Sequence, residues 1–275
     1  MSSSNERLNN IDWEQVRKDR YKEEQENLNN FSYWYPKVQN CGIPMVKSRI
    51  YQIPFDMWKL FNEADENPSS YNKCIDWIKE IIQNDNISTH VFYNIKNGCF
   101  SNKFDARYCN VQGVDIPKSF MEIQLLSQCY DTGGTTELVI RDYLPFNHEI
   151  TPTIYNGLPL RPEFRVFVDF DTNEVLYIVN YWDYNYCAKG IYNVTDKIIF
   201  DYMKNELLDK FNKHKDTVIQ LIKEKLLKYN QTQIDKLTGQ WSVDIMLWAD
   251  KTYYLIDMAI ANRSAYYERG RKDEC

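Results

Sequence analysis

The sequence predicts an α+β protein with mainly antiparallel sheets, and three features of its 275 residues support this class. Several short segments alternate apolar and polar residues, which is typical of half-buried strands. Two pairs of such segments are joined by short polar turns, which indicates hairpins. Two other segments repeat apolar residues at helical spacing. No internal repeat or low-complexity linker divides the chain.

The first half of the chain is predicted to mix helices with single strands. Residues 1–28 are polar and charged, so we expect a solvated helix or a loose arm. The next elements are a strand within VKSRIYQI before a short helix, a helix at 72–84, and a strand at 90–95 that leads into the loop KNGCFSNKFDA. Ser119 and Glu122 match a capping box just after Pro117, which predicts that a helix begins there and ends near the DTGG turn.

The second half is predicted to contain two hairpins and a long helix. ELVIRDYL (137–144) indicates a strand, and a proline-containing loop follows it. The turn DTNE joins EFRVFVDF to EVLYIVNYW in the first hairpin. Residues 201–229 predict one long amphipathic helix, or two helices joined near His214. The last hairpin joins QWSVDIMLWA to TYYLIDMAIA through Asp250 and Lys251.

Composition excludes several classes of function. A formal net charge of -6 gives no basic field for a nucleic-acid backbone, so we expect no nucleic-acid partner. No run of about 18 uncharged apolar residues occurs, and the first residues lack the apolar core of a signal peptide, so we expect a cytoplasmic protein without a membrane partner. The seven scattered cysteines form no CxxC pair, which argues against a disulfide framework and a structural zinc site.

Two aspartates interrupt the apolar pattern of the last hairpin. A tight turn on Asp250 and Lys251 places Asp244 opposite Asp257, where opposed Cβ atoms lie about 4.5–5.5 Å apart. Two carboxylates at that distance repel unless a cation lies between them, and Mg²⁺ is usually held by one or two carboxylates together with nucleotide phosphates. Without metal, replacing either residue by Asn is therefore expected to leave the protein as stable or slightly more stable.

Basic residues in suitable positions could bind a triphosphate. Lys96 ends a predicted strand and opens a loop that contains Ser101 and Lys103, whose backbone could close over phosphates. Arg165 lies among apolar residues of EFRVFV and needs an anionic partner there. Arg141 ends the segment LVIR, where a strand runs out into an exposed stretch.

Each of these residues also has a structural explanation. The aspartates could face solvent on the open side of the hairpin. Lys96 and Lys103 could be solvated loop lysines. Arg165 could form a structural salt bridge with Glu163 or Asp183. Neither GxxxxGK[ST] nor GxGxxG occurs, so the common phosphate-binding loop folds are disfavoured.

Taken in order, these segments resemble the cell division cycle protein 123 family, an ATP-grasp-like family, from about Phe31 to Asp257. The matching pieces are FSYWYPKV, the Lys- and Ser-containing loop that ends in FDA, ELVIRDYL, PEFRVFV and the two Asp-bearing last strands. PEFRVFV is the most specific of them.

The resemblance implies an ATP-grasp-like domain over 29–275, with a nucleotide cleft between lobes at roughly 29–136 and 137–275. In such folds ATP and Mg²⁺ are the cofactors. The base would be read by the backbone of a hinge strand, here Asp142, Tyr143 and Leu144, while the phosphates would lie under the lysine loop. Asp244 and Asp257 would hold Mg²⁺.

The chain departs from the family pattern at three places. When the loop is counted back from Ser101, the position of the family's lysine is occupied by Asn97, so Lys96 is displaced by one residue. In a regular strand, a displacement by one residue would turn the Lys96 side chain to the other face. The family's second metal-binding position, an Asn two residues after the last Asp, is Ala259 here, which leaves Asn262 as a substitute ligand. The family's Gln-Arg-Asp is matched by Tyr181, Trp182 and Asp183.

Three functions remain open at this stage. The first is an ATP-dependent ligase that activates a carboxylate as an acyl phosphate for an amine or thiol, with Arg165 as the catalytic residue that neutralises phosphoryl charge. The second follows the family: an ATP-dependent assembly factor whose protein client is the gamma subunit of translation initiation factor 2, bound in part by Trp34 and Tyr35. The third is a nucleotide-binding interaction protein without turnover.

Overall fold

The strands of the protein form antiparallel sheets, and helices cover them. The computed structural model describes residues 11–129, 136–144, 151–249 and 252–267. Within these residues there are two four-stranded sheets and one two-stranded sheet, all antiparallel. The α+β class predicted from the sequence is thus confirmed.

Helices and short strands follow one another in the first half of the chain. In chain order they are helix α1 (Trp13–Gln25), helix α2 (Phe31–Val38), strand β1 (Ser48–Gln52), helix α3 (Phe55–Glu63), helix α4 (Pro68–Asn84), strand β2 (Phe92–Asn97), helix α5 (Ala106–Cys109), strand β3 (Asn110–Gln112), helix α6 (Ile116–Cys129) and strand β4 (Glu137–Asp142).

The first sheet has the order β1-β4-β2-β3, and α3, α4 and α6 pack on it. The apolar residues of α4 recur at helical spacing, so one face of the helix is buried: Cys74, Ile78 and Ile82. Strand β4 is buried along almost its whole length because it lies inside this sheet, between β1 and β2. Helix α1 has no buried residue, but Tyr21 on it donates a hydrogen bond of 2.6 Å to the carbonyl of Ile53.

The second half contains the other sheet and the long helix. Its elements are strand β5 (Thr153–Ile154), strand β6 (Leu158–Pro159), strand β7 (Glu163–Asp169), strand β8 (Glu174–Asn180), helix α7 (Tyr184–Cys187), helix α8 (Val194–Leu221), a π-helical segment (Ile222–Leu227), helix α9 (Lys228–Thr232), strand β9 (Gln240–Ala249) and strand β10 (Thr252–Ile260).

The second sheet has the order β10-β9-β7-β8. Its core includes Phe164, Val166, Val243 and Ile245 from β7 and β9, and residues of the π-helical segment pack against it. Helix α2 belongs to the same core although it precedes the first sheet in the chain. Trp34 on α2 is 0% exposed, so the expected contribution of its side chain to a client-binding surface is wrong.

Two predicted helix boundaries are also wrong. Helix α6 begins at Ile116, directly after a 3₁₀ turn at Gly113–Asp115, and Ser119 is buried inside the helix. The turn bonds the backbone N–H of Ile116 to the carbonyl of Gly113, so the helix start needs no side-chain cap. The long helix begins at Val194 and passes His214 without a break, and its geometry changes only at Ile222. The DTGG turn lies outside the described residues.

The two sheets do not divide along the chain at the expected lobe boundary of 136/137. Strand β4 follows that boundary yet pairs with β1 and β2, while α2 precedes it and packs with the second sheet. The chain therefore passes between the two sheets more than once. None of the described helices has the length and apolar character needed to cross a membrane.

Candidate functional site

A cleft lies between the two sheets and receives side chains from both. The cavity at its centre measures about 150 Å³. The residues that line it are Val46, Asn94, Ser101, Lys103, Cys109, Asn110, Arg141, Asp142, Tyr143, Leu144, Leu158, Pro159, Arg161, Glu163, Asp244, Met246, Ile256 and Asp257. Most of the expected site residues are among them, from Ser101 to Asp257. Lys96 and Arg165 are not, but Lys96 contacts Asp257 and Arg165 contacts Asp244.

Asp244 on β9 and Asp257 on β10 are direct partners across the two strands, as the sequence predicts. They reach this position through two compensating irregularities, which leave Trp248 on β9 and Ile256 on β10 without a direct partner in the register. A regular hairpin with a two-residue turn gives the same pairing at Asp244. Between the two irregularities, however, the observed register differs from that of the regular hairpin by one residue. The turn residues Asp250 and Lys251 lie outside the described residues.

Asp244 forms a bidentate ion pair with Arg165. The two residues are direct partners across β9 and β7, and the guanidinium Nε and Nη2 each lie 2.8 Å from a carboxylate oxygen. Asp244 is 3% exposed. The partner of Arg165 is therefore Asp244, and not Glu163 or Asp183. Burial opposes the charge of Arg165, but Asp244 raises the pKa of the guanidinium above its ordinary value.

Asp257 forms an ion pair with Lys96 from the opposite lobe. The Lys96 Nζ lies 3.0 Å and 3.2 Å from the two carboxylate oxygens, and Lys96 is 1% exposed, so it is not a solvated loop lysine. It lies within β2, and Asn97 points away to Gln124 and Ser127. Lys96 thus takes the cleft-facing position despite its one-residue displacement from the family pattern.

The two carboxylates are consequently not an uncompensated repelling pair. Each has its own cation, Arg165 for Asp244 and Lys96 for Asp257. Burial disfavours the charge of Asp257, yet Lys96 and Arg141 hold the pKa of its carboxyl below the ordinary value. The expectation that an Asn substitution leaves the metal-free protein as stable or more stable assumed two unpaired carboxylates. It is therefore wrong, because the substitution would leave a cation without its partner.

Arg141 at the end of β4 is buried and only partly hydrogen-bonded. Its Nη2 donates to the carbonyl of Ile256, at 2.8 Å, and its guanidinium lies 5.3 Å from the ring centroid of Phe31. Its Nε has no hydrogen-bond partner among the described residues. Burial lowers the pKa of Arg141. A buried cation with an unpaired N–H in a cleft wall favours an anionic ligand, because leaving such a donor unpaired is costly.

Lys103 brings a further positive charge from the loop that follows β2. Its Nζ lies 4.3 Å from the ring centroid of Tyr181 in the other lobe. Burial on its own would lower the pKa of Lys103, but Tyr181, Glu163 and Asp244 raise it overall. The ammonium group therefore stays charged inside the cleft. Ser101, in the same loop, also lines the cavity.

The expected hinge residues also line the cavity. Asp142 closes β4, donates its backbone N–H to the carbonyl of Lys47 and pairs with Arg49 at 3.2 Å. Tyr143 and Leu144 follow it and line the cavity. Apolar side chains of Val46, Met246 and Ile256 line the same cavity.

Asn262 does not join the acid pair. It is exposed in a 3₁₀ turn at Ala261–Arg263, and it is not among the residues that line the cavity. Within the described part of the chain, no cluster of three or more His, Cys, Asp or Glu residues could hold a metal ion. Of the three expected metal ligands, the structure thus brings Asp244 and Asp257 together, and two carboxylates would suit a metal that takes its remaining ligands from phosphates and water.

Sequence reasoning missed Glu163 as a residue of the cleft. Its side chain lines the cavity, it is 8% exposed, and burial raises its pKa to about 7. Its position two residues before Arg165 in a strand is the signal that could have identified it, because residues i and i+2 share one sheet face. Arg161 also lines the cavity, and burial lowers its pKa.

No protein-family model and no curated protein matches the sequence. Among solved structures, the chain is similar to Cdc123 from Schizosaccharomyces pombe, with 16% identity, 90% of this chain and 87% of that chain covered, and a TM-score of 0.49. It is also similar to a RimK domain protein ATP-grasp from Sphaerobacter thermophilus DSM 20745, with 10% identity, 89% and 62% coverage, and a TM-score of 0.40.

A third similar structure is the ATP-grasp ligase PsnB, complexed with precursor peptide PsnA2 and AMPPNP. The identity is 11%, the coverage is 90% of this chain and 52% of that chain, and the TM-score is 0.36. The chain thus spans little more than half the length of this ligase. The first of the three similarities agrees with the resemblance seen in the sequence. Because the identities and TM-scores are low, the functional proposal depends on the geometry of the cleft.

Proposed function

We propose that the protein binds Mg-ATP in the cleft, in the manner of an ATP-grasp protein. One observation carries the proposal: two opposed carboxylates lie among four cations that come from both lobes, namely Lys96, Lys103, Arg141 and Arg165. The cations suit the phosphates of a nucleotide, and the carboxylates suit a hard divalent cation.

Binding would exchange the partners of these charges. In the ligand-free protein the carboxylates neutralise Lys96 and Arg165. With Mg-ATP bound, Asp244 and Asp257 would hold Mg²⁺, and the released cations would contact phosphate oxygens. The metal would supply positive charge that offsets the phosphate charge when it is bound. Arg141 would use its unpaired Nε on the same ligand.

The base would lie beside the expected hinge residues. Asp142, Tyr143 and Leu144 line the cavity and would offer backbone groups, and Val46, Met246 and Ile256 would offer apolar contact. A ligand site is typically apolar with a few polar groups that fix orientation, and these side chains would suit a base. The phosphates would then lie among the charged groups.

For the use of the bound ATP, we place ligation of a carboxylate to an amine or thiol first. Arg165 presents a fixed fork beside the acid pair, where it could neutralise charge on a transferred phosphoryl group. The assembly-factor alternative loses the support expected from Trp34, which is buried. A nucleotide-binding protein without turnover is distinguished from both by the absence of ADP release.

Calorimetric titration with ATP and AMP, each with Mg²⁺ at millimolar concentration, tests the proposal. We expect binding of ATP, and we expect Arg165→Met to weaken ATP more than AMP, because the guanidinium would contact phosphate. Arg20→Met is the matched control, since Arg20 is an exposed arginine on α1 that does not line the cavity. The absence of both heat and a thermal shift with millimolar Mg-ATP would contradict the proposal.

A further inference from the structure

Tyr181 presents its ring to two cations that belong to different lobes. The Nζ of Lys103, in the loop after β2, lies 4.3 Å from the ring centroid, and the guanidinium carbon of Arg165, on β7, lies 4.8 Å from it. Tyr181 directly follows β8, and its backbone N–H donates to the carbonyl of Glu163. The ring is thus fixed to the second lobe and holds a side chain of the first.

A short C-terminal segment braces this arrangement. Tyr266 donates a hydrogen bond of 2.8 Å to the carbonyl of Tyr181, and the carbonyl of Ala265 accepts one of 3.3 Å from Arg165. Tyr266 is buried and has φ of 72°, a left-handed conformation that is unfavourable for an aromatic residue. Backbone strain of this kind persists only where the surrounding contacts fix the residue, and it is concentrated at functional sites.

An aromatic ring holds a cation differently from a carboxylate. The face of the ring attracts the cation through its quadrupole, and this attraction strengthens when water is excluded. It does not cancel the positive charge, whereas a carboxylate in the same place would compete with an anionic ligand. Tyr181 can therefore keep Lys103 beside Arg165 without neutralising the ammonium group, while Asp244 holds the guanidinium.

We propose that Tyr181 is a positioning residue that holds Lys103 beside Arg165 for the polyphosphate chain of the nucleotide. The proposal deepens the function argued above and rests on it. It makes two separate claims: Tyr181 restrains Lys103 in the ligand-free protein, and this restraint favours ligands with more than one phosphate.

The first claim is tested without nucleotide by the rate at which an amine-reactive anhydride modifies Lys103, measured by mass spectrometry. Tyr181→Leu should raise the rate several-fold, while Tyr181→Phe, which keeps the ring, should match the wild type. Tyr184→Leu is the matched control, because Tyr184 holds Lys204 at 4.4 Å from its ring centroid outside the cleft. Equal Lys103 rates in the wild type and Tyr181→Leu would overturn the proposal.

The second claim is tested by calorimetric affinities for Mg-ATP and AMP in variants whose circular dichroism matches the wild type. Tyr181→Leu should weaken ATP by about tenfold and AMP by less than about twofold, with Tyr181→Phe close to the wild type. Equal losses for both nucleotides, or a Tyr181→Phe variant as weak as Tyr181→Leu, would overturn the positioning role.

A variant outside the ring covers the case in which Tyr181→Leu does not fold. Tyr266→Phe removes only a hydroxyl that bonds to the carbonyl of Tyr181, so it should shift ATP affinity and Lys103 reactivity in the same direction and by a smaller factor. No shift in either quantity would count against the brace. If the wild type itself binds no ATP, the proposed function fails, and the modification rates still decide whether Tyr181 restrains Lys103.

Discussion

Among the residues of the cleft, Glu163 is the one whose charge state depends most on pH near neutrality. Burial raises the pKa of its carboxyl to about 7, although Lys103 and Arg165 oppose the shift. The folded protein therefore binds this proton more tightly than the unfolded chain does. The stability that the protonated carboxyl gives is present at low pH and is lost as pH rises through about 7.

Glu163→Gln should consequently stabilise the protein at pH 8 by about 1–3 kcal/mol and have a smaller effect at pH 5. The amide is uncharged at both pH values, so it avoids the cost of burying an ionised carboxylate. Urea unfolding at the two pH values measures the difference. Glu174→Gln, at an exposed position on β8, is the control and should change little at either pH. A pH-independent effect of Glu163→Gln would contradict the assignment.

The acid pair gives a second prediction at the residue scale. In the metal-free protein, Asp244→Asn should lower the free energy of unfolding by about 3 kcal/mol, because it leaves the buried Arg165 without its partner. Asp257→Asn should cost less, since the side chain of Asp257 is 34% exposed. Denaturant unfolding measures both effects. Asp76→Asn, which breaks an exposed pair with Lys79, should stay within about 0.5 kcal/mol. Unchanged stability of Asp244→Asn would contradict the ion-pair geometry.

The sequence predicted the position of the two acids but not their partners. Asp244 and Asp257 lie in one hairpin, so a local turn model was sufficient to oppose them. Lys96 lies 161 residues from Asp257 in the chain, and no local pattern reports such a contact. For Arg165 the structural alternative was a salt bridge with Glu163 or Asp183, whereas its partner, Asp244, lies on the adjacent strand β9.

At the scale of elements, the 3₁₀ turn before α6 shows how backbone packing fixes a helix start. A Cβ atom on Gly113 would lie 2.1 Å from the backbone carbonyl oxygen of Ser88, so no other residue fits without movement of the backbone. The N–H of Gly113 donates to the carbonyl of Val91 at 3.0 Å, and the N–H of Val114 donates to the carbonyl of Thr89. These contacts tie the turn to the segment that leads into β2.

Gly113→Ala should therefore destabilise the protein by about 1–3 kcal/mol through overpacking. Gly190→Ala is the matched control, because no atom lies within 4 Å of a Cβ at that position, and it should change stability by less than about 0.5 kcal/mol. Thermal and denaturant unfolding of the two variants measure the difference. Equal stability of both variants would show that the turn and the Ser88 segment can separate freely.

Elements with strong local patterns were predicted well, and those that depend on distant contacts were not. The hairpin of β7 and β8 and the hairpin of β9 and β10 follow from alternation and turn residues. The short strands β5 and β6 lie in a segment that the sequence indicated as a proline-containing loop, because two-residue strands carry no periodicity. Ser119 matched a capping box by composition, but the preceding turn had already bonded the helix start.

At the scale of the whole molecule, several side-chain contacts join the two sides of the cleft. The Lys96–Asp257 pair, the bond from Arg141 to Ile256 and the contact of Lys103 with Tyr181 all cross it. The cavity of about 150 Å³ is smaller than the ~300–1,000 Å³ of sites that enclose a drug-sized ligand. If the cleft binds a nucleotide as proposed, the ligand would take the place of some of these contacts.

The membership of the two sheets is the part of the architecture that the sequence could not show. Strand β4 follows the expected boundary in the chain but pairs within the first sheet, and helix α2 precedes the boundary but packs with the core of the second sheet. Pairing between strands far apart in the chain depends on the collapse of both cores together, and a single sequence contains no local signal for it.

The dependence of ATP affinity on Mg²⁺ tests the central claim most directly, because it asks whether the acid pair holds the metal of a bound nucleotide. Calorimetry of the wild type should show at least about tenfold tighter ATP binding in millimolar Mg²⁺ than in a chelator, and Asp257→Asn should lose most of this dependence while it keeps weak binding of free ATP. Wild-type protein that binds no ATP, or an Asp257→Asn variant with the full Mg²⁺ dependence, would contradict the account.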